Sequence, residues 1–180
     1  ICEFIPIAAV RIGLSNLKVF SFGPRPYDFI ACNAPIKPLF DLGINIQENS
    51  ELDLFAAFND HANDPRIAEV AADMAKELGA DNPRRILPKL AQYEITLLDW
   101  AEANKGAAKY YVFANKCWPA FQTQFGFVPC YVNSRLTGRC IPVSCEVDIY
   151  GAVSEYILCC VTGAAPTLLD INNTVPEDMY

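Results

Sequence analysis

The sequence predicts an α/β fold, a doubly wound, mostly parallel sheet with helices on both faces (Rossmann-like). Short apolar, β-prone runs occur at residues 18–22, 110–114 and 141–145, separated by segments whose apolar residues recur at helical spacing. Parallel strands need crossover connections, which are usually helices, so this alternation favours a parallel sheet covered on both sides. The chain has 180 residues, of which 52% are hydrophobic. It is therefore large and apolar enough to form one domain with a sizeable core.

The N-terminal part of the chain contains one predicted helix and two predicted strands. Residues 8–15 are compatible with a short helix, and residues 18–22 form a strand that ends at the Gly-Pro-Arg-Pro sequence of residues 23–26. Gly and Pro in succession are typical of a strand that opens into a loop. Residues 27–42 have helical character interrupted by prolines, and residues 44–47 form a short strand.

Helix signals dominate the rest of the chain. Asp64 and Pro65 predict a helix start, with Asp as the N-cap and Pro as the first helical residue, and Gly79 ends this helix. A longer helix runs from about Ile86 to about Asn104. Further helices are predicted at residues 119–126, 132–136 and 149–162.

A domain boundary is predicted near residues 163–166, where Gly, two alanines and Pro follow the last helix. Residues 1–165 then form the α/β domain, and residues 166–180 begin a following domain with a strand-like run at 167–171. The chain begins without Met, inside an apolar stretch. We therefore expect it to be a piece of a longer polypeptide.

The composition argues against several classes of protein. The formal net charge is −7, and no cluster of basic residues occurs, so nucleic acid is not an expected partner. No apolar run reaches the roughly 20 residues of a membrane-spanning helix, so no membrane is expected either. The eight cysteines do not follow an export signal, and two of them are adjacent inside a helical pattern. We expect reduced thiols in a cytoplasmic protein rather than a disulfide framework.

Two carboxylates, Glu146 and Asp148, lie between the last predicted strand and the last predicted helix. Ligands of open α/β sheets bind outside the carboxyl ends of the strands, and residues i and i+2 of an extended segment point to the same side. The pair is therefore placed to hold a hard divalent ion such as Mn²⁺ or Mg²⁺, or to move a proton. The alternative is that both acids cap the following helix. The spacing alone leaves both interpretations open.

A second group of candidates follows the other two strands. Lys116 is a candidate anion ligand, and Trp118 is a candidate for stacking on a sugar ring. Cys117 is a candidate nucleophile, although no His lies near it in sequence. The alternative for all three residues is a structural role, in which the side chain is packed or solvated. Arg25 is a candidate ligand for a phosphate or carboxylate, although the glycines around it do not match a dinucleotide fingerprint. His61 lies in a polar loop and is expected at the surface.

Two motifs in the second half of the chain resemble those of L-fucose/L-arabinose isomerase-like proteins. Residues 116–122, Lys-Cys-Trp-Pro-Ala-Phe-Gln, resemble the Cys-Trp-x-x-x-Gln segment of that family, and residues 142–152 resemble the acidic motif that follows it. The run at 167–171 fits the same order, and residues 18–26 resemble the start of the family's middle domain. The resemblance covers essentially the whole chain and is strongest from residue 116 to residue 170.

The resemblance implies a cytosolic, oligomeric aldose–ketose isomerase that acts on a small sugar such as L-fucose or an arabinose stereoisomer, usually with Mn²⁺. Such proteins have two α/β domains and then a β-rich C-terminal domain that supplies a metal-binding His to two carboxylates. On this basis Glu146 and Asp148 would be the metal ligands and proton-transfer groups. Trp118, Gln122 and Arg25 are the candidates for substrate binding.

This sequence departs from the family pattern in two respects. The first metal carboxylate of the family is expected at residues 118–122, which here contain no acid. Gln122 offers a carbonyl oxygen, but it is neutral and cannot act as a general base. The domain that carries the His is absent from this chain, so we expect the chain to be inactive alone. The alternative function is a non-catalytic sugar-binding or regulatory domain on the same scaffold.

Overall fold

A computed structural model describes residues 4–79 and 84–169, which form four strands and seven α-helices. The strands are β1 (Leu17–Phe22), β2 (Asn45–Asn49), β3 (Tyr110–Ala114) and β4 (Val143–Ser144). The helices are α1 (Phe4–Leu14), α2 (Lys37–Asp41), α3 (Glu51–Asp60), α4 (Ile67–Leu78), α5 (Leu87–Asn104), α6 (Cys130–Thr137) and α7 (Ile149–Thr162).

The four strands form one parallel sheet in the order β2-β1-β3-β4. Val19 of β1 pairs with Ile46 on one side and with Val112 on the other, and Phe113 of β3 pairs with Val143. Because all strands are parallel, their carboxyl ends lie along one edge of the sheet. The predicted doubly wound α/β fold is confirmed.

Alternate residues of the central strands pack on opposite faces of the sheet. Leu17 and Val19 belong to a core that includes residues of α7, whereas Phe20 and Phe22 belong to a core that includes residues of α3, α5 and α6. Side chains alternate in this way because the strand period is two residues. The sheet is therefore covered by helices on both faces, as the sequence predicts.

Helix α3 is not among the elements predicted from sequence, although its start has a capping box. The Ser50 hydroxyl accepts from the Leu52 amide, and the Asp53 carboxylate accepts from the Ser50 amide. Only Leu54 and Phe58 of this helix are fully buried, so the apolar periodicity is weak. The capping residues, rather than the hydrophobic pattern, are the sequence signal for this element.

The turn after β1 is crowded by the first residue of α3. Gly23 has φ +90, and a Cβ atom there would lie 2.7 Å from the Cδ atom of Glu51. Lys116, after β3, reaches the same place, and its Nζ atom donates to the Pro24 carbonyl at 3.2 Å and lies 3.8 Å from Glu51 Oε1. The chain thus fills the crevice between the ends of β1 and β3 with its own side chains.

Several predicted boundaries are wrong. Helix α4 begins two residues after Pro65, with Arg66 as the N-cap residue, because the Asp64 carboxylate binds the Arg66 amide in a turn before the helix. The predicted last strand shortens to β4, and residues 27–42 contain only a 3₁₀ turn and α2. Residues 167–169 form no strand, and the rest of that predicted run lies outside the described residues.

None of the described helices is long and apolar enough to cross a membrane. Six cysteines within the described ranges are free thiols: Cys117, Cys130, Cys140, Cys145, Cys159 and Cys160. The proposed boundary at residue 166 and the following domain remain predictions.

Candidate active site

A cavity of about 460 Å³ opens at the carboxyl end of β4, between α6 and α7. Its polar wall combines residues that follow β4 with residues of both helices, and the segment after α7 closes one side. The polar lining residues are Asn133, Ser134, Thr137, Ser144, Glu146, Asp148, Glu155 and Thr167. This is the place where open α/β sheets bind ligands, and both predicted carboxylates lie there.

The backbone at Glu146 and Val147 is left-handed, with φ values of 55° and 52°. The prediction of an extended segment with both acids on one side is therefore wrong in its geometry. Each non-glycine residue in this region costs about 1–2 kcal/mol. The turn is stabilised because Val147 is buried and its amide donates to the Asn115 carbonyl at 3.0 Å. Two adjacent strained residues are typical of functional sites.

This turn directs the Glu146 carboxylate toward the end of β3. The Trp118 indole nitrogen donates to Glu146 Oε1 at 3.3 Å, and the Cys145 thiol lies 3.5 Å from the same oxygen. The other oxygen, Oε2, is buried and has no hydrogen-bond partner among the described residues. A buried carboxylate oxygen without a partner is a candidate acceptor for a further group, such as a cation or a substrate hydroxyl.

Asp148 has a different role from Glu146, because it caps α7. Its Oδ1 atom accepts from the Gly151 amide at 2.8 Å. A Cβ atom at residue 151 would lie 2.6 Å from both Asp148 Oδ2 and Ser144 Oγ, so these two oxygens face the same glycine. Oδ2 is not part of the cap. The capping interpretation of the sequence thus applies to Asp148, which also lines the cavity.

A third carboxylate, Glu155, lines the cavity two turns along α7 and was not predicted from sequence. It is 6% exposed, and its Oε2 atom has no hydrogen-bond partner within the described residues. Burial, reinforced by the negative charge of Asp148, raises the pKa of Glu155 to about 7. The signal available in the sequence was a single acid inside an otherwise apolar helix.

The two cysteines beside Glu146 are protonated thiols. Burial raises the pKa of Cys145 to about 12 and also raises the pKa of Cys117. A thiol of raised pKa is a poor nucleophile. The structure therefore gives no support to Cys117 as a nucleophile.

A buried amide pair fixes the end of β3 beside the cavity. The Asn115 amide nitrogen donates to the Tyr93 hydroxyl at 2.6 Å, and the Asn133 amide nitrogen donates to Asn115 Oδ1 at 3.1 Å. All three residues are buried, so the network ties α5, β3 and α6 together. Sequence reasoning missed it because the partners are far apart in the chain.

The predicted substrate-binding residues are not all brought together. Trp118 is half-buried beside Glu146, with the ring of Phe29 at 6.5 Å. Gln122 is exposed on one turn of π-helix at Phe121–Phe125 and does not line the cavity. Arg25 donates to the Ala34 carbonyl at 2.6 Å, within its own loop. Their roles in binding remain predictions.

A second cluster of His and acids lies away from the cavity and is already neutralised. His61 binds Asp99 through Nε2 at 3.0 Å and is partly buried, contrary to the surface position predicted for it. Arg66 donates to both Asp64 and Asp99 and holds the pKa of each carboxyl below its usual range. The guanidinium occupies the place between the carboxylates where a cation would bind.

The chain matches no model of a known protein family. It is similar to curated proteins named sulfoquinovose isomerase. The relative from Clostridium sp. (strain MSTE9) is 38% identical over 166 residues, which cover 89% of this chain and 35% of that protein. The relative from Priestia aryabhattai is 28% identical over 172 residues, covering 93% and 37%. The chain therefore spans little more than a third of the length of the relatives it matches.

Proposed function

We propose that this chain forms the acidic half of the active site of a sugar isomerase, which interconverts an aldose and a ketose with a divalent cation. The main support is the similarity over about nine-tenths of the chain to proteins named sulfoquinovose isomerase. The cavity at the end of β4 supports the same proposal, because Glu146, Asp148 and Glu155 all line it. The substrate that the relatives suggest is a sulfonated sugar, rather than the L-fucose or arabinose that the sequence motifs suggest.

The residues at the cavity fit a hard cation such as Mn²⁺. Glu146 offers the buried oxygen Oε2, which has no partner among the described residues, and Asp148 offers Oδ2, which is not used by the helix cap. Carboxylate oxygens are the ligands that such ions prefer. When bound, the ion would polarise the carbonyl and hydroxyl of the sugar. Further ligands would come from outside the described residues.

The charges around the cavity orient the substrate. Within residues 4–79 and 84–169, the cavity lining contains three acids and no Lys or Arg. A sulfonate group would be repelled here, whereas sugar hydroxyls can donate to the carboxylates. We therefore place the carbonyl end of the sugar at Glu146 and the sulfonate away from this cavity. Burial raises the pKa of Glu155 to about 7, which is close to the value that suits a general acid or base at neutral pH.

The test is an isomerase assay of the polypeptide that carries this chain. With Mn²⁺, sulfoquinovose, L-fucose and D-arabinose are supplied separately, and ketose formation is measured. We expect turnover that Glu146→Gln and Asp148→Asn abolish, with the fastest rate on the sulfonated sugar. Turnover that persists in both variants would exclude these carboxylates as the reacting groups.

The second candidate function is a non-catalytic sugar-binding domain. It is favoured by Gln122, which is neutral and exposed where the resemblance implies a metal carboxylate. No ketose from any sugar, together with sugar binding that survives both substitutions, would establish this function. The cytoplasmic location and the homo-oligomer stay predictions of the sequence.

A further inference from the structure

Two thiols and one carboxylate meet where β3 and β4 end. Cys117 follows β3, and Cys145 and Glu146 follow β4. The Sγ atoms of both cysteines and one carboxylate oxygen of Glu146 all lie within 4.8 Å of one another. This group is distinct from the oxygen ligands assigned above to Mn²⁺, apart from Glu146 itself.

The spacing suits an ion that prefers sulfur. Ligand atoms of tetrahedral zinc lie about 2.0–2.3 Å from the metal, and hence roughly 3–4 Å from one another. The separation of Cys145 Sγ from Glu146 Oε1 is already 3.5 Å. The side chains therefore need only small rotations to enclose an ion.

One further observation points to a ligand at this place, and a second shows that no neighbouring lysine neutralises it. Glu146 Oε2 is buried without a hydrogen-bond partner in the described part of the chain. The nearest basic side chain in sequence, Lys116, is directed at the Pro24 carbonyl and at Glu51 instead. The cluster of His61, Asp64 and Asp99 differs, because Arg66 already supplies the positive charge there.

We propose that Cys117, Cys145 and Glu146 bind one thiophilic divalent cation, such as Zn²⁺ or Cd²⁺, through two thiolates and one carboxylate. Binding replaces two S–H bonds by two metal–sulfur bonds, and both protons leave to solvent. Cys145 and Glu146 line the cavity, so the fourth coordination position is open to water. The proposal does not rest on isomerase activity. Because Glu146 is shared, a thiophilic ion would compete with Mn²⁺ and inhibit an isomerase.

The test is a titration of the metal-free chain with Cd²⁺, followed by the ultraviolet thiolate-to-cadmium charge-transfer band. We expect the band to saturate at one ion per chain and about two protons to be released per ion, measured with an indicator dye. Zn²⁺ should compete, and Mn²⁺ should give no band. Cys117→Ser and Cys145→Ser should each weaken Cd²⁺ binding by roughly 10- to 100-fold or more.

The matched control is Cys130→Ser, since Cys130 is exposed and lines the same cavity but is not one of the three ligands. It should leave the band and the affinity unchanged. Absence of a band in the unsubstituted chain overturns the proposal, as does a band that survives both Cys117→Ser and Cys145→Ser. Circular dichroism shows whether each variant is folded. Asp148→Asn should keep the cadmium band even if it abolishes isomerase activity, so the two proposals fail separately.

Discussion

The carboxylate of Asp148 accepts a hydrogen bond from the backbone amide of Gly151 at 2.8 Å, and this contact caps α7. The neighbouring acid, Glu146, takes no part in the cap and binds the Trp118 indole instead. The capping interpretation of the sequence therefore holds for Asp148 and not for Glu146, whose role as a ligand stays a prediction. Asp148 can both cap the helix and bind a ligand, because the cap uses only one of its two carboxylate oxygens.

Substitutions at Asp148 should separate its cap from its other role. Asp148→Ala should lower the free energy of unfolding of the metal-free chain by about 1 kcal/mol, because the Gly151 amide loses its acceptor. Asp148→Asn should retain most of this stability, because Asn caps as well as Asp. Urea denaturation measures both. If Asn is as destabilising as Ala, the side chain contributes through its charge rather than through the cap.

Gly151→Ala should displace three residues that line the cavity, Ser144, Asp148 and Leu168. The added methyl group would lie 2.6 Å from Asp148 Oδ2 and Ser144 Oγ and 2.8 Å from Leu168 Cδ2, so these groups must move. We expect a loss of about 1–3 kcal/mol in the free energy of unfolding. Ser154→Ala, at an exposed position of the same helix, is the control and should have little effect. Equal stability of the two variants would show that residue 151 is not crowded.

Glu155→Gln should change how stability depends on pH. Burial raises the pKa of Glu155 from its ordinary value of 4.5 to about 7, so the folded chain binds the proton more tightly. The stability from Glu155 is therefore fully present below about pH 4.5 and is lost as the pH rises to about 7. In urea denaturation with chelator present, the variant should gain stability relative to the unsubstituted chain at pH 8 but not at pH 4.5. A constant difference across this range would contradict a raised pKa.

Arg135 joins α6 to α4 and α5. Its guanidinium is buried and donates to Glu94 at 2.8 Å and to Asp73, and it also pairs with Glu77. Arg139 also binds Glu94, yet burial still raises the pKa of that carboxyl.

Arg135→Met should cost about 3–5 kcal/mol in urea denaturation, because it leaves Glu94 buried with one cation fewer. The double variant Arg135→Met with Glu94→Leu should recover much of this loss. Arg66→Met removes an equally well-paired but exposed guanidinium and should cost far less. Comparable losses in the two single variants would mean that burial does not set the cost.

The sequence was most informative where patterns are local. Strands β1 and β3 and helices α5 and α7 were predicted close to their positions, because each combines apolar periodicity with a clear stop. The candidate site at Glu146 and Asp148 lines the cavity at the end of β4, and its role stays a prediction. Its geometry could not be predicted, because the left-handed turn at Glu146 depends on Val147 fitting into the core beside Asn115. The burial of Glu155 and the hydrogen bonds among Tyr93, Asn115 and Asn133 likewise depend on contacts between segments that are distant in sequence.

The crowded turn at Gly23 has a consequence for what this scaffold recognises. Many doubly wound proteins hold a nucleotide phosphate with the glycine turn after the first strand and the free amides of a helix start. Here the Glu51 carboxylate lies against Gly23, and the Leu52 and Asp53 amides at the start of α3 already donate to Ser50. A phosphate would meet the Glu51 carboxylate, already paired with Lys116, instead of amide donors. The glycine turn after β1 is thus closed to a phosphate, whereas the cavity at the end of β4, on the far side of β3, is open.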